Sequence, residues 1–231
     1  MKRGIRARVL ALGTMAAATF SLCLGTAQNA VANEGDISKV NESVHVDNGE
    51  HTGDVSSVNG SIHIGSGAVV KHVHTVNGGV TLESQVSADK VDSVNGAIHL
   101  GDGTQVHGPV HTTNGGIHAG NNSDITGDIT TMNGGIHVGS GHVGGSLETH
   151  AGSIDLGPNA HIDGNIKVDE DHNSWNFGFN KPPEVIIRPG TVVKGTLHFE
   201  REVRLFVSDH ATIGAVTGAE VRKFSGDNPP D

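Results

Sequence analysis

VNGSIHI, at residues 58–64, is a seven-residue motif that recurs along much of the chain. It returns as VNGGVTL at 76–82, VNGAIHL at 94–100, TNGGIHA at 113–119 and MNGGIHV at 132–138. Steps of 18 or 19 residues separate the asparagines of successive copies, which stand at 41, 59, 77, 95, 114 and 133. A period of this length is typical of a solenoid, in which each unit stacks on the next.

Each repeat divides into three segments of about six residues. One repeat begins them at Val58, Ile64 and Val70, with apolar residues at the start of a segment and near its fifth position. Helical periodicity is absent, and the many glycines and β-branched residues disfavour helix. We therefore predict an all-β, single-domain, three-sided parallel β-solenoid of about nine coils. Right-handed crossovers are the rule, but many hexapeptide solenoids are left-handed, so the handedness stays open.

Stacking of the coils predicts which side chains fill the interior. One coil cannot bury its apolar face alone, but stacked coils bury a continuous column. One inward stack is predicted to contain Ile62, Val80, Ile98, Ile117, Ile136 and Ile154. A second is predicted to contain Ile64, Leu82, Leu100, Ala119, Val138 and Leu156. Aromatic residues make up only 3% of the chain, which fits a narrow aliphatic interior.

The repeated Asn-Gly pair predicts a specialised corner. Side-chain amides placed one above the other can form a ladder of hydrogen bonds, and its predicted members are Asn59, Asn77, Asn95, Asn114 and Asn133. The glycine after each asparagine is predicted to adopt a positive φ, which glycine reaches without steric cost. This interpretation assigns the asparagines a structural role and not a catalytic one.

The sequence contains 16 histidines, several of which share one repeat position between two inward residues. Alternation along a strand points these side chains outward, so they should form a column on one face. The consecutive members are His99, His118 and His137, and the same position holds His45 and His63 in earlier coils. Neutral imidazoles bind Zn, Cu or Ni, so we consider a metal site at the three consecutive histidines, with His45, His63 and His142 as further candidates. The alternative is a solvated polar position multiplied by duplication, and Thr81 and Asp155 occupy it in two other coils.

Residues 1–32 have the pattern of a secretory signal peptide. A basic start contains Lys2, Arg3, Arg6 and Arg8, an apolar stretch follows over 9–24, and Ala30-Val31-Ala32 offers a cleavage site. Cleavage after Ala32 predicts export to the periplasm or beyond the cell. The alternative, a membrane anchor, is disfavoured because the apolar run is short, and we expect no stable membrane span after cleavage.

Charge and cysteine content restrict the function of the remaining chain. Residues 1–32 hold four of the 15 Lys and Arg residues and none of the 25 Asp and Glu residues, so residues 33–231 carry a net charge of −14 with neutral histidine. Such a surface repels nucleic acid and anionic lipid. The single cysteine, Cys23, lies within residues 1–32, so residues 33–231 offer no disulfide and no thiolate nucleophile or metal ligand.

The repeat is interrupted once, over residues 169–184. This segment contains Trp175, Phe177 and Phe179, which would lie on one side of an extended chain. We expect the three rings to pack on the solenoid flank or to mediate contact with a partner. The predicted organisation is a lead-in at 33–40, repeats at 41–168, the insertion, final coils with a cap at 185–224, and a disordered tail at 225–231. The phenylalanines assigned to the cap are Phe199, Phe206 and Phe224.

Two families resemble the repeats. The segments TVNGGV at 75–80 and SVNGAI at 93–98 resemble adhesin-type β-strand-repeat domains. The segment IRPGTVVKGTL at 187–197 resembles bactofilins, which are polymer-forming β-helical scaffold proteins. The resemblance covers residues from about 41 to 218 and implies an architecture, with no agreed catalytic residue in either family. Bactofilins are typically cytoplasmic or membrane-associated, and the predicted signal peptide of this chain departs from that pattern.

The expected function is that of an exported, non-catalytic structural or adhesive solenoid of the bacterial cell envelope. Its expected partner is an envelope component or a second copy of the chain. The first alternative is a metal-binding solenoid that uses the histidine column. A second alternative is an enzyme, because His137 and His142 have the spacing of a zinc-binding segment in γ-class carbonic anhydrases, and His118 lies one coil upstream. That family usually separates the third ligand by about two coils, so the resemblance is partial.

Overall fold

The computed structural model describes residues 35–169 and 181–230, which form parallel β-strands and turns without any helix. The signal-peptide prediction and the residues Trp175, Phe177 and Phe179 lie outside these ranges. The described strands follow one another around a three-sided coil, so that each face of the solenoid gathers every third segment. The predicted all-β parallel β-solenoid is thereby confirmed.

Each face of the solenoid holds its strands in chain order along the axis. The first face contains β1 (Ile37–Lys39), β3 (Val55–Ser57), β10 (Val110–Thr112), β13 (Ile129–Thr131), β16 (Leu147–Thr149), β19 (Ile166–Val168), β22 (Leu197–Phe199) and β25 (Val216–Thr217). The second face contains β2 (Val44–Val46), β4 (Ile62–Ile64), β6 (Val80–Leu82), β8 (Ile98–Leu100), β11 (Ile117–Ala119), β14 (Ile136–Val138), β17 (Ile154–Leu156), β20 (Glu184–Ile187), β23 (Arg204–Ser208) and β26 (Val221–Phe224). The third face contains β9 (Gln105–Val106), β12 (Asp124–Ile125), β15 (His142–Val143), β18 (His161–Ile162), β21 (Val192–Val193) and β24 (Thr212–Ile213).

Two long strands join the third face to the first. β5 (Val69–Asn77) and β7 (Ser87–Asn95) pass around the corner without a break, so these two faces form one 16-stranded sheet. The second face is a separate sheet of ten parallel strands. One strand per coil on that face gives about ten coils in the described residues.

The change from 18 to 19 residues per coil occurs at the corner between the third and first faces. In β7 two residues separate Ala88 from Val91, but in the next coil three residues, 107–109, separate their register partners Val106 and Val110. The extra residue replaces the continuous strand with a turn that contains glycine. The inward side chains keep their register on both sides of this turn. The extra residue is therefore accommodated within the turn and does not disturb the core.

The interior consists of the predicted aliphatic stacks. Ile98 pairs with Ile117, and Ile117 with Ile136, while Leu100, Ala119 and Val138 pair in the same way. Each of these side chains is at most 2% exposed. Burial of an aliphatic side chain contributes roughly 1.5–3 kcal/mol, and most strands supply at least one such residue, so the stacks are the main source of stability in the solenoid.

A row of buried hydroxyl groups runs beside the aliphatic stacks. Thr112 and Thr131 end their first-face strands, are fully buried, and donate 2.9 Å hydrogen bonds to the carbonyl oxygens of Gly96 and Gly115. Equivalent bonds to the preceding coil come from Ser57, Thr75, Ser93 and Thr149. These hydroxyl groups donate to carbonyl oxygens at the corner that would otherwise be buried without a hydrogen-bond partner. A buried carbonyl without a partner costs folding free energy.

The glycine that follows each asparagine of the ladder is required for a reason other than the predicted positive φ. Positive φ occurs at other glycines of the described residues, namely Gly49, Gly67, Gly103, Gly190, Gly218 and Gly226, so the prediction for the Asn-Gly corner is wrong. The reason for glycine is close stacking of the backbone. A Cβ added at Gly96, Gly115 or Gly134 would strike the carbonyl of the matching glycine one coil earlier. Only glycine allows consecutive coils to approach this closely at the corner.

The phenylalanines assigned to the cap occupy different places. Phe199 is 4% exposed and belongs to the core cluster, in register with Val168. Phe206 lies between the core residues Leu205 and Val207 but is not part of the core cluster; it is 6% exposed, and the guanidinium of Arg222 lies 5.9 Å from its ring centroid. Phe224 is also buried, at 5% exposure. The end of the core near β24, β25 and β26 is lined by half-buried residues such as Ile213 and Val216.

Candidate functional site

The repeated asparagines form a ladder of hydrogen bonds on the surface. Each Nδ2 donates to the Oδ1 of the asparagine one coil earlier, over distances of 2.8–2.9 Å. The ladder begins at Asn41 and continues through Asn59, Asn77, Asn95, Asn114 and Asn133. Both polar atoms of an interior member are engaged with its neighbours, so the ladder braces the corner between the first and second faces.

The histidine column lies on the outside of the second face. His99, His118 and His137 stand in register, with ring centroids 4.5 Å apart and interplanar angles of 10° and 5°. His45 and His63 form a separate stacked pair at 5.0 Å, because Thr81 interrupts the column. The spacing follows from the strand separation of about 4.8 Å, which brings flat side chains into contact without distortion of the sheet.

A shallow groove of about 420 Å³ runs beside the three stacked imidazoles. The small residues Ala97, Gly116, Gly135 and Ser153 line it along the side that follows the asparagine ladder. Asp155 lies at one end, where its carboxylate is 3.3 Å from Nδ1 of His137 and 2.9 Å from the guanidinium of Arg188. The groove therefore follows the solenoid axis and presents imidazole edges along its length.

Stacking limits how these imidazoles can bind a metal ion. Zinc lies about 2.0–2.1 Å from a ligating nitrogen, so two ligands of one ion cannot be much more than about 4 Å apart. His99 and His137 are separated by two ring intervals of 4.5 Å each. Joint binding of one ion by all three histidines stays a prediction, and it requires the rings to turn out of the stack.

The central imidazole of the column resists protonation. Burial lowers the pKa of His118 below 6.5, and the neighbouring His137 and His99 add to this effect, while Asp102 opposes it. The unfolded chain therefore takes up this proton at a higher pH than the folded chain. The corresponding stability is complete above about pH 6.5 and is lost as the pH falls through the folded pKa.

We expect His118→Thr to make the protein less sensitive to acid. Thr81 shows that threonine fits this column. The substitution removes a half-buried imidazole whose protonation would place a positive charge between two other histidine rings. Urea unfolding at about pH 7.5 and about pH 5 should show a smaller loss of stability for the variant than for the natural protein. His111→Thr is the control, because its register neighbours are Asp92 and Thr130. An equal acid-induced loss in all three proteins would contradict the expectation.

His142 belongs to a different surface from the histidine column. It lies in β15 on the third face, with Nδ1 2.7 Å from Asp124 and Nε2 3.3 Å from Asp163. The hydrogen bond with Asp124 is the main cause that raises the pKa of His142, with burial acting against it. His118 and His137 lie on the second face, so the segment that resembles a carbonic anhydrase is divided between two faces.

One group of metal-ligand side chains is not evident from the sequence pattern. Glu148, His150 and Asp169 each offer a ligand atom, and these atoms all lie within 4.8 Å of one another. The group stands beside the interruption of the repeat, on the outside of the first face. Its members do not recur in other coils, so the periodic pattern gave no signal for them.

Comparison of the chain with protein-family models, with curated proteins and with solved structures found no match. Within the part of the chain that the structure describes, no helix has the length and apolar character needed to cross a bilayer.

Proposed function

We propose that this protein is an exported, non-catalytic structural or adhesive scaffold of the bacterial cell envelope. The observation that carries the proposal is the repetition of outward side chains along the axis, seen in the stacked imidazoles at 4.5–5.0 Å and in the asparagine ladder. A surface of equal, evenly spaced groups suits many weak contacts with an extended or repetitive partner. Sites for small molecules instead use a few convergent polar groups in a deep cavity.

The nature of the partner follows from charge and from the two family resemblances. Residues 33–231 carry a net charge of −14, which favours neutral or cationic envelope components over nucleic acid and anionic lipid. An adhesin-type solenoid would bind an envelope surface, whereas a bactofilin-like solenoid would associate with further copies of itself. In both cases the stacked coils supply a rigid support, and the outer faces supply the contacts.

A metal-binding function through the histidine column is the second candidate. The observation in its favour is the lowered pKa of His118, because the neutral imidazole is the form that binds metal ions. The parallel rings favour separate ions at single imidazoles over one ion held by His99, His118 and His137. This candidate would give weak binding of Zn, Cu or Ni with more than one ion per chain.

Export and contact can be tested together on the untagged protein. Intact mass of the exported material should correspond to a chain that begins at Asn33, and retention of Met1 would contradict the signal peptide. The exported protein should then sediment with isolated bacterial envelopes in a saturable manner, or form oligomers in sedimentation velocity. A monomer at every concentration that also stays in the supernatant with envelopes would overturn the proposed function.

A further inference from the structure

The group formed by Glu148, His150 and Asp169 lies on two adjacent coils. Glu148 is the middle residue of β16, and His150 follows that strand directly. Asp169 follows β19 and donates its backbone N–H to the carbonyl oxygen of Thr149 over 3.0 Å. The parallel register thus places an imidazole and a carboxylate side by side, with a second carboxylate two residues before the imidazole.

The separation of His150 and Asp169 suits two ligands of one ion. Nε2 of His150 lies 3.5 Å from Oδ2 of Asp169, which is longer than an ordinary hydrogen bond of about 2.7–3.2 Å. Ligands about 2.1 Å from a tetrahedral zinc ion are about 3.4 Å from each other. The third ligand atom, on Glu148, lies within 4.8 Å of both, so a rotation of its carboxyl end can complete the set.

Neighbouring groups hold the two central ligands in place. The ammonium of Lys167 lies 2.5 Å from Oδ1 of Asp169, which leaves Oδ2 directed towards His150. The Asp169 side chain is only 10% exposed. Arg201 donates a 3.0 Å hydrogen bond to the backbone carbonyl oxygen of His150. Fixed ligands of this kind lose little conformational freedom when an ion binds.

The two carboxyl groups of the cluster lie close to each other and to the ammonium of Lys167. A hydrogen bond with Asp169 is the main cause that raises the pKa of Glu148, and burial adds to it. Burial disfavours ionisation of Asp169, but its bonds with Lys167 and Glu148 outweigh this and lower its pKa. A divalent cation placed between the two carboxylates would relieve their mutual repulsion.

We propose that Glu148, His150 and Asp169 bind one divalent transition-metal ion, with Zn²⁺ as the fitting example, at the point where the repeat is interrupted. One imidazole and two carboxylates are a donor set that zinc accepts, and water would fill the fourth position. The ion would link two neighbouring coils where the asparagine ladder has ended. This inference does not depend on the proposed scaffold or adhesive function.

Zinc chloride and cobalt chloride are the probes for the test, applied to the untagged exported protein at about pH 7.5, where imidazole is neutral. Calorimetry should show a tightest class of one zinc ion per chain. Cobalt bound with a nitrogen and oxygen ligand set should give visible absorption bands. Binding should weaken at about pH 5.5, because protons compete for the same ligands.

Substitution of the ligands separates this site from the histidine column. Asp169→Asn and Glu148→Gln keep the shape of the side chains and should each weaken the tightest zinc site at least about tenfold, with loss of the cobalt bands. His150→Ala should do the same. The triple variant His99→Thr, His118→Thr and His137→Thr is the control and should keep both signals.

Three results would overturn the site. They are an absence of a one-to-one zinc class in the natural protein, unchanged zinc affinity in the Glu148→Gln and Asp169→Asn variants, or loss of that class in the histidine-column variant instead. Circular dichroism of each variant establishes that the solenoid is intact. Sedimentation with envelopes should be the same for Glu148→Gln and the natural protein, so failure of the metal site and failure of the proposed function are told apart.

Discussion

Gly115→Ala should lower the free energy of unfolding by about 3 kcal/mol or more, whereas Gly116→Ala one residue later should cost less than about 1 kcal/mol. A Cβ at Gly115 would meet the carbonyl of Gly96, with the carbonyl carbon at 2.5 Å and the next backbone nitrogen at 2.8 Å. These are backbone atoms of a packed coil, so neither can turn away. The two coils would have to separate at the corner.

Gly116 provides the matched control for this prediction. A Cβ there would lie 3.3 Å from the carbonyl oxygen of Gly135, a tight contact that a small shift relieves. Neither glycine has a positive φ, so backbone strain affects the two variants alike. Urea unfolding followed by circular dichroism measures both. Equal losses for the two variants would show that close stacking is not the reason for glycine at the corner.

Ile129→Ala should destabilise the solenoid by about 2–4 kcal/mol. Ile129 is fully buried in β13, and its register partners Val110 and Leu147 are fully buried in the coils on either side. Loss of the side chain leaves a cavity between two coils that the regular backbone spacing cannot close. The cost then includes both the lost burial and the empty volume.

Thr130→Ala is the control for the core substitution, because Thr130 points outward from the same strand. It should change the free energy of unfolding by less than about 0.5 kcal/mol. Chemical denaturation of the natural protein and of both variants measures these differences in the free energy of unfolding. A loss below about 1 kcal/mol for Ile129→Ala would mean that the coil spacing adapts to the cavity.

The inward and outward positions could be predicted from the sequence because a parallel solenoid keeps one register throughout. Once the repeats are aligned, each residue contacts the residue at the same position in the next coil. Ile98 on Ile117 and His118 on His137 follow directly from that alignment. The asparagine ladder follows in the same way, since its partners are identical and stand one repeat apart.

The corner glycines show where this alignment stops being sufficient. A positive φ and a close approach of two backbones both require glycine. A glycine in the sequence therefore does not show which of these two reasons applies. The distinction depends on how near the coils lie at that corner. The buried hydroxyl row presents the same difficulty, because Thr131 repeats visibly but its partner is the backbone carbonyl of Gly115 in the preceding coil.

The group of Glu148, His150 and Asp169 could not be predicted for a related reason. Histidines at one repeat position attract attention because they recur, while this group combines three different residues at the end of the regular repeats. His150 and Asp169 become neighbours only when the register between β16 and β19 is known. The interruption of the repeat at residue 169 is visible in the sequence. In other solenoids, groups of metal-ligand side chains can be sought next to such interruptions.

The parallel stacking of coils also determines how the molecule would respond to mechanical tension. The backbone hydrogen bonds run along the axis, and each coil is held by its neighbours alone. Tension applied to one end of the solenoid would load the terminal coil first and detach it before the next coil carries force. Each detached coil of the regular repeats would release 18 or 19 residues, or about 60 Å of extended chain. The protein would therefore lengthen in steps under load while its inner coils stay folded.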